Sequence, residues 1–139
     1  MSEENKHKHL ELLQGIVERM AANSFHVKGW SVAVVSALLA IGISKSNFLF
    51  AILALFPLLL FWALDGYYLS LEKGFRSVYD RVRLLPNAEI DFSMHRTRAE
   101  RGWCQWLKGV FAVPNLLFHI PALLVATGVS LFLMNGCAA

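Results

Sequence analysis

The chain has 139 residues, of which 56% are hydrophobic and 17% charged, with 13 Lys and Arg against 10 Asp and Glu for a formal net charge of +3. Nine glycines and four prolines are an ordinary complement, so the composition excludes a collagen-like or disordered chain and favours a membrane protein of one domain. Cys104 and Cys137 are two isolated thiols; a metal site would want clustered Cys and His, and no disulfide is expected between segments on opposite sides of a membrane.

The opening SEENKHKH leads into an amphipathic segment and not into an apolar core with a cleavage site, so retention of the N-terminus is expected. Between Asn5 and Asn23, Leu10, Leu13, Val17 and Met20 alternate spacings of three and four, while Glu11, Glu18 and Arg19 take the other faces. Such a helix has one face to bury. Two uses are open to it: a cytoplasmic oligomerisation or gating helix with those four residues as its seam, or an interfacial helix lying on the bilayer. Lys6 and Lys8, beside His7 and His9, form a basic cluster suited to solvent, anionic lipid or an anionic ligand.

Val27 to Ser44 is the first candidate span, entered through Lys28 and Trp30 as interfacial anchors. Gly29, Ala33 and Ala37 fall on one track of small residues and Ser36, Ala40 and Ser44 on another, a spacing that lets helices approach closely in lipid. The alternative for Ser31 and Ser36 is the wall of a narrow pore. Lys45 to Asn47 is too short for anything but an antiparallel hairpin into the second span, Phe48 to Leu64. Pro57 interrupts that span, where it removes a backbone hydrogen bond and predicts a kink that could serve as a hinge.

At Asp65 the character changes within one residue. Leu69, Leu71, Phe75, Val78, Tyr79 and Val82 then recur near helical spacing among charged residues, which predicts that the span continues into the cytoplasm as an amphipathic stalk. Arg76 and Arg83 are its best-placed cations for an anionic ligand. Pro86 and Asn87 end the stalk, and a polar connector follows. Arg98 to Lys108, with Trp103 and Trp106, reads as a helix at headgroup level. The third apolar run, Gly109 to Met134, is long enough to cross; Pro114 and Pro121 flank His119, which counting from Gly109 places about halfway through it. His119 either bonds a carbonyl freed by Pro121 or has a pore-lining or proton-sensing role. Asp65 is expected in an ordered pairing, with donors from the first span or a neighbouring subunit.

Positive charge collects before the first span and between the second and third, so the N-terminus and the long middle segment are expected in the cytoplasm. A third segment that re-enters and returns to the cytoplasm is the competing topology. There is no HExxH, phosphate loop or GxSxG, and no carboxylate pair with a base nearby, so neither an enzyme nor a cofactor is expected.

The pattern NSFHVKGWS before the first span and FWALDGYYLSLEKGFRSVYDRVR after the second resembles small bacterial inner-membrane proteins of antiphage defence and, more loosely, the SLATT effectors. That resemblance covers roughly Asn5 to Arg83. It implies a two-span hairpin with cytoplasmic helices that oligomerises into a pore under a nucleotide second messenger; the third apolar run departs from this plan. The expectation is an all-α integral membrane protein of the bacterial inner membrane, multi-pass, in four segments: a cytoplasmic amphipathic helix (1–26), a transmembrane helical hairpin (27–65), a cytoplasmic stalk helix and connector (66–108), and a third transmembrane helix with its tail (109–139). It is expected to work as a homo-oligomer, a tetramer as first guess, gated by a cyclic or linear nucleotide and not binding nucleic acid. Lys6, Lys8, Arg76 and Arg83 are the candidate ligand contacts, Leu10, Leu13, Val17 and Met20 the oligomer seam, and Ser36, Pro57, Asp65 and His119 the gating or pore residues. The alternative function is a non-conducting membrane anchor or sensor subunit that docks a soluble partner.

Overall fold

The computed structural model describes residues 3–136, so Cys137 and the incidental role expected of it lie outside the described residues. The chain is all-helical there: α1 (Glu3–Ser44), α2 (Phe48–Leu53), α3 (Leu55–Leu84), α4 (Trp103–Val110) and α5 (Val113–Gly136), with single 3-10 turns at Asn87–Glu89 and Arg98–Glu100 and no strand among the described residues. Three stretches are long and apolar enough to cross a membrane: α1, the α2–α3 pair and α5.

Nothing between Asn23 and Val27 breaks a helix. The buried stripe that begins with His9, Leu13 and Val17 stays in register through Ser24, Val27, Ser31, Val35, Leu39 and Gly42. The N-terminal helix and the first apolar stretch are therefore one helix of 42 residues, roughly 63 Å long, which runs without a break past residue 26. The turn at Lys45 to Asn47 reverses the chain, with the Asn47 side chain accepting from the Leu49 N–H at 3.0 Å to cap α2. Pro57 has no N–H to offer the Leu53 carbonyl, and the helix is interrupted one turn earlier at Ala54, which separates α2 from α3. Past that joint, α3 runs without a break through Asp65 and Gly66 into the stalk, as expected. Gly109 and Val110 belong to α4, so the third apolar run is divided at residues 111–112. Pro114 sits harmlessly in the first turn of α5, and only Pro121 lies inside that helix.

The bundle has two cores. In the apolar half, Val35 and Leu39 of α1 pack with Ala51, Ala54 and Leu58, and with Ala126 and Leu133 of α5. In the polar half, α1 and the stalk of α3 run antiparallel and enclose Leu13, Val78, Val82 and Ile90, with Leu10, Phe75 and Tyr79 against them. Leu13 is 0% exposed and Val17 is buried. The seam expected to join subunits is thus largely consumed inside one chain, because α3 presents a complementary apolar stripe to the same face. Leu10 and Met20 are half-buried at its edges. The small-residue tracks are corrected in the opposite sense: Gly29, Ala33 and Ala37, and Ser36, Ala40 and Ser44, are exposed, and the close approaches are made by Gly42, Ala51, Ala54 and Ala126.

The connector folds back along the stalk. Thr97 and Glu100 form a capping box, and Glu100 also accepts from Ser77 Oγ at 2.5 Å and from Arg81 at 2.7 Å. Burial raises the Glu100 pKa, but the hydrogen bonds from Ser77, Thr97 and Arg81 outweigh it and bring the carboxyl from 4.5 down to about 2. Because the folded value lies below the unfolded one, this stabilisation is fully present above about pH 5 and is lost as the pH falls through the folded value. Melting curves of the wild type and Glu100→Gln should therefore lie furthest apart at neutral pH and converge towards pH 2; a gap that stays constant to acid would remove the carboxylate as its cause.

Candidate functional site

The two halves of the bundle meet at a buried carboxylate. Asp65 is 0% exposed and stands on α3 where the apolar stretch ends. A carboxylate so far from water needs donors and a counter-charge. α1 supplies both, since Ser24 and Lys28 are one turn apart on the face towards α3: Ser24 Oγ donates to Asp65 Oδ1, and Lys28 Nζ lies 2.5 Å from Oδ2 and 3.0 Å from Ser24 Oγ. α5 supplies the third partner, His119, whose Nε2 is 3.0 Å from the same Oδ2. A carboxylate oxygen only accepts, so Nε2 carries the hydrogen, while Nδ1 is buried without a hydrogen-bond partner among the described residues. Four residues from three helices thus converge on one point: Ser24 and Lys28 from α1, Asp65 from α3 and His119 from α5.

Aromatic rings and a second amide enclose the cluster. The Trp62 ring stacks on His119 at 5.7 Å with 11° between planes, and its Nε1 donates to the Val110 carbonyl at 3.0 Å. Trp106 Nε1 donates to the Ala63 carbonyl at 3.0 Å. Asn115 is buried one turn before His119; its Nδ2 donates to Gly109 O at 3.0 Å and its Oδ1 lies 3.5 Å from Lys28 Nζ. Directly beside Asp65, α4 rests on α3 backbone to backbone. A Cβ on Gly109 would lie 2.2 Å from Gly66 O, and a Cβ on Gly66 would lie 2.4 Å from Val110 Cγ2.

Several sequence-based placements change here. His119 lies in the second turn of α5, level with Asp65, and not halfway through the third apolar stretch, because that stretch gives its first residues to α4. It bonds Asp65 and not a carbonyl freed by Pro121. Asp65 has its donors from the first helix and from α5, within one chain. Ser36 is exposed beside a groove lined by Val32, Leu39, Phe118 and Pro121. The four candidate ligand cations do not converge. Lys6 Nζ donates to Leu85 O at 2.7 Å and caps the end of α3, and Lys8 lines a surface groove with Glu11 and Glu18. Arg76 pairs with Glu72 at 2.9 Å and Arg83 faces Asp80 at 3.8 Å, two turns further along the stalk. The cleft beside Arg76 also contains Glu18 and Asp80, an acidic surround unsuited to a polyanion.

Sequence reasoning missed Ser24, Lys28 as an ion-pair partner, Asn115, and the Gly66–Gly109 contact. A signal for Asn115 existed: with His119 it makes an i,i+4 polar pair on one face of an otherwise apolar run. Nothing local marks Ser24 or the glycine pair, whose meaning lies in a partner far along the chain. No protein-family model, curated protein or solved structure matches this chain.

Proposed function

We propose that the chain is the subunit of a gated membrane channel or membrane-perturbing effector, N-terminus inside, in which the Lys28–Asp65–His119 cluster is the joint between the polar helices and the spans. The observation that carries this reading is the burial of Asp65 at that boundary, with Ser24 and Lys28 of α1 and His119 of α5 as its partners. Apolar side chains of similar volume hold helices together at least as well as a buried ion pair, so the charge is better explained by a joint that must open than by stability alone. A force along the continuous α3 stalk reaches Asp65 directly. Copies would assemble in the homo-oligomer, a tetramer as first guess, through the outward Gly29–Ala33–Ala37 and Ser36–Ala40–Ser44 tracks, whose small residues permit close approach in lipid. The inner bacterial membrane, a role in antiphage defence and a nucleotide signal rest on the junction resemblance; Arg76 and Arg83 do not supply the cradle for such a signal.

The competing reading, a non-conducting anchor that docks a soluble partner, is favoured by the closed packing of Ala51, Ala54, Leu58 and Ala126 in the apolar half. Reconstitution into liposomes separates the two. Asp65→Asn should raise dye release in the absence of any signal by about tenfold over the wild type, since loss of the charge weakens the joint. Liposomes that stay sealed with both proteins, together with a soluble protein retained on the wild type, would establish the anchor instead.

A further inference from the structure

Beside the Gly66–Gly109 contact lies a cleft of about 440 Å3 between the base of the stalk, the end of the connector and the start of α4. Its volume falls within the roughly 300–1,000 Å3 of small-molecule sites. Tyr67 and Ser70 of α3 form one wall and Trp103 and Trp106 the other, with Arg96 and Arg101 at the rim. Neither guanidinium has a carboxylate within 4.0 Å among the described residues; Arg96 lies over the Phe75 ring at 5.3 Å, and Arg101 is exposed. The acid in the lining, Glu100, has its oxygens occupied by Ser77, Arg81 and the Thr97 N–H. Gly102, at φ 120°, turns the chain into α4 and, as its N-cap, brings no capping side chain of its own. Two guanidinium forks without a carboxylate partner among the described residues, the Gly102 turn into α4 and indole walls thus share one cavity. An anion is the missing partner, and an ester oxygen carrying an apolar group suits the aromatic side.

The level of the cleft narrows the ligand further. Trp103 is 78% exposed, and Leu107, Phe111 and Val113 follow it on the outer surface of the same segment. Indole and aliphatic side chains so disposed, next to Arg, match the headgroup region of a bilayer. We infer that this cleft binds a phosphate ester, supplied by the headgroup of an anionic phospholipid, with Arg96 and Arg101 on the phosphate and Trp103 and Trp106 against its glycerol and first methylenes. The bound ester pins α4 against α3 beside Asp65, so headgroup occupancy is transmitted to the buried cluster through the Gly66–Gly109 contact.

The test uses the full chain, purified in detergent and stripped of lipid, with phosphatidylglycerol, phosphatidylcholine and soluble glycerol 3-phosphate as separate probes. Phosphatidylglycerol should raise the melting temperature more than phosphatidylcholine, and Arg101→Gln should weaken its half-saturation by about tenfold, the usual scale for one charge-assisted contact. Arg96→Gln should do the same; since Arg96 also packs on Phe75, its lipid-free melting curve reports any folding defect separately. If glycerol 3-phosphate gives the larger Arg-dependent shift, the phosphate ester stands and its source is a soluble molecule. A shift that survives both substitutions overturns the site, and an Arg-dependent shift that is equal for phosphatidylglycerol and phosphatidylcholine overturns the anionic headgroup as the source of the ester.

Discussion

Lys28→Met should destabilise the bundle by about 3–5 kcal/mol, the scale for stranding one partner of a buried ion pair. Asp65 would keep its hydrogen bonds from Ser24 and His119 but lose the Lys28 ammonium, in a position that is 0% exposed. Asp65→Asn should cost clearly less. The Lys28 side chain is 21% exposed, so its ammonium can swing on its flexible stem towards the surface, whereas the carboxylate has no such exit. The double variant Lys28→Met with Asp65→Asn should recover most of the loss of Lys28→Met alone, because the amide oxygen still accepts from Ser24 and nothing charged remains buried. Denaturant or thermal unfolding in micelles gives the three values. If Asp65→Asn proves as costly as Lys28→Met, hydrogen bonding to the carboxylate and not charge compensation holds the cluster, and the proposed joint loses its physical basis.

Gly109→Ala should be strongly damaging, because there is no room for the added methyl. The new carbon would lie 2.2 Å from Gly66 O and 3.2 Å from Ser70 N, both backbone atoms of a continuous helix that cannot step aside. Overpacking of this kind costs about 1–3 kcal/mol where the element stays in place, and here the cheaper response is for α4 to lift from α3. Lifting would break the Trp106 Nε1 bond to Ala63 O and the Trp62 Nε1 bond to Val110 O, so Trp fluorescence should shift to the red along with the loss of stability. Gly15→Ala and Gly128→Ala are the controls. Both sit inside helices with open space at the Cβ position, and alanine there should be neutral or stabilising by up to about 1 kcal/mol. Equal effects at Gly109 and Gly15 would mean that α4 does not rest on α3 in solution.

The fall in charge density at residues 27 and 48 and its return at Asp65 were visible as composition, and periodicity alone identified the stalk: apolar positions from Leu69 to Val82 at helical spacing are a local property, and α3 follows them to Leu84. Pro57 was legible because a missing N–H acts on the nearest turn, and the helix does break there, at Ala54. The continuity of α1 and the starting point of α5 were less so, because element ends answer to the surfaces they meet as well as to local signals.

Apart from donors for Asp65 from the first helix, what each helix face touches was not legible. The Leu13–Val17 face could have met lipid, another copy or α3, since an apolar stripe is indifferent to the origin of the apolar surface that covers it; only the packed chain assigns it to Val78 and Val82. The small residues Gly29 and Ala33 had the spacing for close contact and point outward, while Gly66 and Gly109, isolated in the sequence, make the tightest approach. The ionic cluster is the extreme case. Lys28, Asp65 and His119 are separated by dozens of residues; the sequence marked Lys28 as an anchor, expected Asp65 in an ordered pairing and gave His119 either a bond to a carbonyl freed by Pro121 or a pore-lining or proton-sensing role. Their shared burial is a property of three helices meeting at one level, and the pairing follows because a carboxylate removed from water there requires donors and a cation within reach.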